Sequence, residues 1–564
     1  MIKKIRKFFP EISLLKFSTL ILISLFYGLS TIVTIYIVST LASLLNGSSN
    51  INLITPILIS VDFLTSIFGI TDKMAHISIG LVALTFMVIF GLLKVFFISK
   101  ICSTARHNLS MKILKKTLST NYDFLDKTHS GNSKSLILDE TAHVIQQLLR
   151  PTIEIITSIV FVSILLINLY FYDSKLTIVS SILFGVMYLI IFIFTRSLIT
   201  QHGQSRFLSN KKRFKKVDDA LSLKLLSNVL KTINLFLDRY SEDSKKMAKH
   251  QYLFDFISAS PKIIIEAIIF LIVLIMIYIG LNNGSAKFDE ISLTQTIIFF
   301  ALTGLKMLPE FQRIFVSLGL LKFGNKSQEG VYNLLNNNNE SIFESKIDKK
   351  KYEKLILSFD CESCTAGDQK ILNKINLMVN IGDRLAIRGR SGAGKTTLVH
   401  ALMGVIPINL NQKKGFFRAN IKFGYLPQET NLFSSTVLEN IVMGRKIDKT
   451  KKDYIKKITA SLFPEFQNVN IDIFLNRIID DVVTELSVGQ KQRIGLLRAI
   501  YDHPDMLILD EFTSALDKKN EQIIIDFIDQ FKLCKTLIIV GHREESIKIC
   551  NKFLKIEDGN LIKE

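Results

Sequence analysis

The sequence predicts an α-helical polytopic membrane domain with six transmembrane helices, followed by an α/β domain built around a phosphate-binding loop. Three observations predict it. Long apolar runs fill roughly the first 320 of the 564 residues, several of them near the ~20 residues a helix needs to cross hydrocarbon. Hydrophobic residues make up 48 % of the chain and its mean hydropathy is +0.32. From about residue 345 the pattern changes to short buried strands alternating with helices, as in a parallel sheet with crossover helices. Within that second part, "GRSGAGKT" (Gly389–Thr396) fits G-x-x-x-x-G-K-[ST].

The membrane domain is expected over 1–335, with spans near 16–45, 77–99, 150–171, 175–198, 261–281 and 291–322. The first run is too long for a signal-peptide core and lacks a small-residue cleavage pattern. The third and fourth spans are joined only by "YDSK", a tight turn. Pro309, in "LKMLPEFQRI" (Leu305–Ile314), should kink the last span. The formal net charge of +20 could mean nucleic-acid binding, but its distribution favours the positive-inside bias of membrane proteins. The start "MIKKIRK" and the stretches 100–147 and 200–258, including "KKRFKK" (Lys211–Lys216), are basic. The stretches 46–75, 172–175 and 282–290 carry few positive charges. This alternation implies an even number of crossings, both termini on the inner side and no nucleic-acid partner. "NLITPILISVDFLTSIFGI" (Asn52–Ile70) contains Pro56 and Asp62 and would invert that pattern as a seventh span, so it is expected to lie on the outer membrane surface.

Residues 336–350, rich in Asn and Lys, read as a linker to a second domain over 351–564. Cys361 and Cys364 form a C-x-x-C without the second pair a zinc site requires, and are expected to be reduced thiols in a surface loop. Cys102, Cys534 and Cys550 suggest no role.

The chemistry of the second domain follows from its phosphate loop. The strand "RLAIRG" precedes it and the helix "TTLVHALMGV" follows. Gly389, Arg390, Ser391, Gly392, Ala393 and Gly394 should curl so that backbone N–H groups and the helix N-terminus, with Thr397 in its first turn, face phosphate. Lys395 should reach the β- and γ-phosphates of ATP, and the Thr396 hydroxyl should face Mg²⁺. "MLILDE" (Met506–Glu511) is a buried strand ending in two carboxylates: Asp510 suits a magnesium contact, and Glu511 suits a general base for the attacking water. Gln428, just after a strand in "YLPQE", could contact magnesium and that water. His542, at the end of "LIIVGHR", could contact the γ-phosphate.

"LSVGQ" (Leu486, Ser487, Val488, Gly489, Gln490) opens another helix, a second anion site for which one chain has no obvious use. It resembles the signature sequence of ATP-binding cassette (ABC) proteins. The resemblance implies that this stretch acts in trans, closing over nucleotide held by a second copy: a homodimer, with a heterodimer left open. The family's commonest form is LSGGQ; Val488 replaces the first glycine, while Ser487 and Gly489, which lie nearest phosphate in the family, are kept. Ser514 and Asp517 in "SALD" match the family's D-loop. Six spans and one cassette resemble an ABC exporter half-transporter over essentially the whole chain. "LFSSTVLENI" (Leu432–Ile441) is similar to the segment that touches the membrane domain, and "TNYDFLDKTHSGN" (Thr120–Asn132) to the first intracellular loop with its coupling helix. The family's adenine-stacking aromatic is missing from its expected position, near Cys361; Phe359 is close by.

Charges lie at membrane depth: Lys94, Glu154, Glu266, Lys306, Glu310 and Arg313. Each either pairs between helices or faces a polar cavity; Lys94, Lys306 and Arg313 are candidate stops for an anionic headgroup. "LKMLPEFQRI", "YDFLDKTHSGN" and the outer apolar segment resemble the bacterial lipid-linked oligosaccharide flippases. That resemblance implies an amphipathic, anionic polyprenyl-pyrophosphate-linked glycan in the inner (plasma) membrane. Exporters of lipid A-like lipids, drugs or peptides would share the cassette motifs, and an ATP-gated channel is the reading from another class.

Overall fold

The computed structural model describes residues 8–45, 62–63, 65–66, 69, 71–119, 136–282, 290–336, 355–366, 369–405, 417–418, 422–466, 470–479, 486–513, 516–531 and 534–563. These form two compact units, one drawn from Met1–Ser119 and His129–Asn338, the other from Asn339–Glu564.

The first unit is helical. Its principal helices are α1 (Leu14–Leu45), α2 (Asp72–Ser119), α3 (Arg150–Tyr172), α4 (Ser174–Ser222), α5 (Ile233–Asn282), α6 (Glu290–Phe323) and α7 (Asn325–Asn336). A helix covers each expected span. Four stretches among the described residues are long and apolar enough to cross a membrane: Leu14–Leu41, Asp72–Leu118, Ile137–Tyr172 and Gly185–Ser222. The side chains of 268–297, where the fifth and sixth runs lie, fall outside the described residues. Asp173 alone separates α3 from α4, as the "YDSK" turn requires. Helix α6 runs on past Pro309, and α5 past Pro261. Residues 136–149 wind partly as π-helix before α3 begins. Most of the expected outer segment and all of Thr120–Asn132 lie outside the described residues.

Aromatic rings tie the apolar helices together. Tyr36 of α1, Tyr172 of α3 and Phe299 of α6 meet with ring centroids 4.3–4.7 Å from Phe299. Helices α4 and α6 approach so closely that a Cβ on Gly203 would sit 2.1 Å from the Phe323 carbonyl oxygen, so only glycine fits there.

The second unit is α/β. Strands β1 (Leu355–Ala366) and β2 (Gln369–Asn380) pair antiparallel, with β4 (Phe417–Arg418) beside β1. The main sheet has the order β11-β10-β3-β9-β8-β5, from β3 (Arg384–Gly389), β5 (Phe423–Leu426), β8 (Met506–Asp510), β9 (Thr536–Val540), β10 (Lys552–Glu557) and β11 (Asn560–Lys563). The pairs from β10 through β5 are parallel, and only β11 runs against its neighbour. Strands β8 and β9 are buried at every residue, the continuous apolar reading of a sheet covered on both faces. One core packs β3 and the β1–β2 ribbon against α8 (Lys395–Met403). The other packs the sheet against α9 (Val437–Val442), α10 (Lys449–Leu462), α11 (Val488–Ile500) and α12 (Lys518–Phe531). The short strands β6 (Ser435–Thr436) and β7 (Ile478–Ile479) pair at its margin.

One expectation is corrected. Cys361 and Cys364 lie within β1, paired in register with Ile375 and Leu372 of β2, and not in a loop. Asp360, Glu362 and Ser363 disguise a strand that pairs along one edge of a ribbon, where polar residues are tolerated.

Candidate nucleotide site

In open α/β sheets ligands bind beyond the carboxyl ends of the parallel strands. Here four adjacent strands, β3, β9, β8 and β5, end beside one another, and each delivers one part of the expected site. Strand β3 runs into the phosphate loop, where Gly389, Gly392 and Gly394 take φ of 154°, 82° and 97°. A Cβ at Gly389 would lie 2.5 Å from the Ile556 carbonyl oxygen, so the loop is cut to fit glycine. The next two residues, Arg390 and Ser391, are exposed, Ala393 is half-buried, and Thr396 and Thr397 open α8 just after Lys395.

Lys395 is 5 % exposed and is the hub of the site. Its ammonium donates to the carbonyls of Gly389 (2.9 Å) and Arg390 (3.2 Å), pairs with Glu511 at 3.1 Å and lies 3.0 Å from His542 Nε2. Gln428, at the end of β5, donates from Nε2 to Glu511 at 3.2 Å. Glu511 itself adopts φ +42°, a strained left-handed conformation for a non-glycine residue; its N–H bonds to the Val540 carbonyl at 2.8 Å. The expected base, lysine, histidine and glutamine therefore meet.

Asp510 is 1 % exposed, and burial pushes its carboxyl up to about 6. Thr396 and Tyr425 hydrogen-bond to it, Tyr425 at 3.5 Å, yet its Oδ1 has no hydrogen-bond partner. A buried oxygen without a partner, beside a hydroxyl and within one residue of a second carboxylate, fits a hard cation held by Thr396, Asp510 and Gln428.

The signature stretch starts α11. Ser487 accepts from Gln490 N–H at 3.2 Å, while Gln490 Oε1 accepts from Ser487 N–H at 3.0 Å, a complete capping box. Leu486 and Gly489 are buried, whereas Val488 is 52 % exposed at the helix tip. Asp517 caps α12 through Asn520 N–H at 2.9 Å. Ser514 lies outside the described residues. Phe359 is fully buried in the core behind β1, so its ring cannot serve as an adenine platform; the Cys361 side chain lies outside the described residues.

Sequence reasoning missed a brace behind the site. Gln492 of α11 donates to the Gln428 carbonyl at 2.6 Å and accepts from Thr430 at 3.0 Å, so the glutamine loop is tied to the signature helix of the same chain. Arg498, further along α11, donates to the carbonyls of Asn440 (2.8 Å) and Asn431 (3.1 Å), holding the Leu432–Ile441 segment. Tyr425 was missed too. Its only signal was a tyrosine before the glutamine loop, which carries no chemistry until β5 sets it beside Asp510.

Residues 17–307 match the family described as ABC transporter transmembrane region, and residues 372–514 match ABC transporter. The chain belongs to the ABC transporter family. A probable ABC transporter ATP-binding/permease protein of Haemophilus influenzae is 33 % identical over 211 residues, 35 % of this chain and 37 % of that protein. A putative export ATP-binding/permease protein of Rickettsia typhi is 36 % identical over 203 residues, 34 % and 35 % of the two chains. A putative multidrug export ATP-binding/permease protein of Staphylococcus aureus is 33 % identical over 205 residues, 35 % of each. The matched stretches thus span little more than a third of these relatives' lengths. A solved bacterial Atm1-family ABC exporter with ATP bound superposes with a TM-score of 0.77, covering 97 % of this chain and 94 % of that one, at 17 % identity. The ABC transporter fold, a helical transmembrane domain with an ATP-binding domain, therefore extends over nearly the whole chain.

In the transmembrane domain of this ABC transporter, several of the charges expected at membrane depth are paired. Lys94 and Glu310, each 7 % exposed at the side chain, lie 3.7 Å apart, and Arg313 and Ser158 also bond to Glu310. Lys94 packs over the rings of Tyr27 and Phe161 at 5.7 and 5.8 Å. Glu154 takes Arg150 at 2.9 Å and the Ser317 hydroxyl at 3.4 Å. Of the three cationic stops expected from sequence, Lys94 and Arg313 thus converge on one carboxylate; Lys306 is half-buried one turn earlier on α6.

Proposed function

We propose that this chain is an ATP-driven exporter that works as a homodimer by alternating access. The observation that carries it is the meeting of Lys395, Glu511, His542 and Gln428 at the ends of adjacent strands, with Asp510 and Thr396 beside them. ATP and Mg²⁺ are the ligands this set fits. Bound magnesium would screen the phosphate charge. Lys395 would bind the β- and γ-phosphates, Glu511 would take a proton from water aimed by Gln428, and His542 would contact the γ-phosphate. The Leu486–Gln490 stretch, with Ser514 and Asp517, would complete the site of a second copy. Closure of the two cassettes would pass through the intracellular loop to six spans in a bacterial inner membrane, with both termini in the cytoplasm.

The substrate we favour is a polyprenyl-pyrophosphate-linked oligosaccharide turned from the inner to the outer leaflet. The flippase-like motifs support it, as do Lys94, Lys306 and Arg313, cations that an anionic headgroup could engage when Glu310 is drawn away. The names of the Rickettsia and Staphylococcus relatives, export and multidrug export, support the second reading, another amphipathic cargo. Purified protein in liposomes separates them. ATP-dependent movement of a lipid-linked sugar, abolished by Glu511→Gln, is expected. Movement of amphipathic dyes alone would remove the glycolipid reading, and ATP hydrolysis coupled to no movement would remove the exporter.

A further inference from the structure

A cavity of about 300 Å³ opens within the first unit, between the segment 8–19 and helix α2. Its walls divide by chemistry. Phe8, Phe9, Phe97 and Ile101 give it an apolar floor, and Phe8 and Phe9 are themselves buried against α2. Lys16, Lys100 and Lys112 stand at its exposed rim. Among the described residues none of these three ammonium groups has a carboxylate partner. The one carboxylate in the wall, Glu11, is engaged by the Asn108 amide. Three cations against one occupied anion leave the rim strongly positive.

The position along the chain matters as much as the charge. Lys16 immediately precedes the apolar run of α1, and Lys100 immediately follows that of α2. The Lys16 and Lys100 end of the cavity therefore lies at the level at which hydrocarbon gives way to head groups, with Phe97 on the apolar side; Phe8, Phe9 and Ile101 lie on the basic side, and Lys112 stands three turns beyond Lys100. Basic pockets of this kind, next to transmembrane helices on the basic side, suit anionic lipid head groups. We propose that this cavity holds an anionic phospholipid, its phosphate between Lys16 and Lys100 and the start of an acyl chain over Phe97. The inference rests on the membrane reading above, and it concerns a resident lipid, not the cargo. A free phosphate would leave the aromatic floor wet, and a zwitterionic lipid would bring a trimethylammonium group up to two lysines.

The test uses full-length protein, delipidated in detergent and titrated separately with phosphatidylglycerol, phosphatidylcholine and inorganic phosphate, with bound molecules counted by native mass spectrometry. Phosphatidylglycerol should be retained in preference to the other two. At about fivefold per lysine, the double variant Lys16→Gln/Lys100→Gln should weaken its binding roughly 25-fold, and the double Lys→Arg variant should restore it. Thr104→Trp, on the cavity wall, should weaken binding with no change of charge. An unchanged melting temperature of the full chain in detergent, with MgATP binding retained, certifies that each variant is folded. Equal retention of both lipids, phosphate binding as tight as that of phosphatidylglycerol, or unchanged affinity in the glutamine double or in Thr104→Trp would overturn the proposal. Lipid counting needs no turnover. Loss of the lipid preference with transport intact defeats this inference alone, and retained lipid without transport defeats only the function proposed above.

Discussion

At the scale of single residues, Glu511 and Asp510 are neighbours in opposite electrostatic settings. Glu511 sits against the Lys395 ammonium at 3.1 Å and is a quarter exposed. Replacing it in Glu511→Gln should lower ATP turnover by roughly 10²–10⁴-fold, the usual contribution of a general base, while MgATP still binds. Phosphate release and equilibrium nucleotide binding, measured side by side, check both halves. Asp510 is buried and its carboxyl is raised to about 6. The sign follows by linkage. The protonated form is favoured in the folded protein, so its contribution to stability is present below the unfolded value of ~3.9 and is lost as pH rises through about 6. A magnesium ligand must be ionised, so MgATP affinity should fall as pH drops below about 6. Calorimetric titrations from pH 5 to 7.5 should show that fall in the wild type, and weak, flat binding in Asp510→Asn. These residues were legible in the sequence because each sits in a fixed order after a strand. The hydrogen bond of Tyr425 to Asp510 was not, because a phenol becomes part of a site only when two distant strands lie side by side.

At the scale of elements, helix α11 is a strut as well as a signature. Its start within Leu486–Gln490 was legible in the sequence, but its capping box of Ser487 and Gln490 came only with the structure. Its grip on the glutamine loop was not, since Gln492 and Thr430 are 62 residues apart and neither belongs to a motif. Gly495 shows how tight that contact is: a Cβ there would lie 2.6 Å from Thr430 Oγ1 and 2.7 Å from Leu426 Cδ1. Gly495→Ala should therefore destabilise by about 1–3 kcal/mol through overpacking, despite alanine's better helix propensity. Gln492→Leu should cost a comparable ~1–3 kcal/mol by stranding the Gln428 carbonyl. Thermal unfolding of the solubilised full chain, followed at the cassette by nucleotide fluorescence, reads both. The β1 strand with its two cysteines escaped prediction for the opposite reason: local polarity looked like a loop, and only pairing with β2 made it a strand.

At the scale of the whole molecule, apolar runs and a change of pattern near residue 345 were enough to foresee a membrane unit joined to an α/β unit. They could not foresee how the intramembrane charges would be shared, because that depends on which helix faces bring Lys94, Ser158 and Glu310 together. Glu310→Gln would leave Lys94 buried without its anion, a change that costs about 3–5 kcal/mol where such pairs have been broken. Adding Lys94→Met should recover much of the loss, since replacing a buried pair by apolar side chains is often neutral. Melting temperatures of the single and double variants in the same detergent check this.

The near-contact at Gly203 carries a consequence for any sliding of α4 past α6. With no side chain between the α4 backbone and the Phe323 carbonyl, the two helices meet flush, and any larger residue there would wedge them apart.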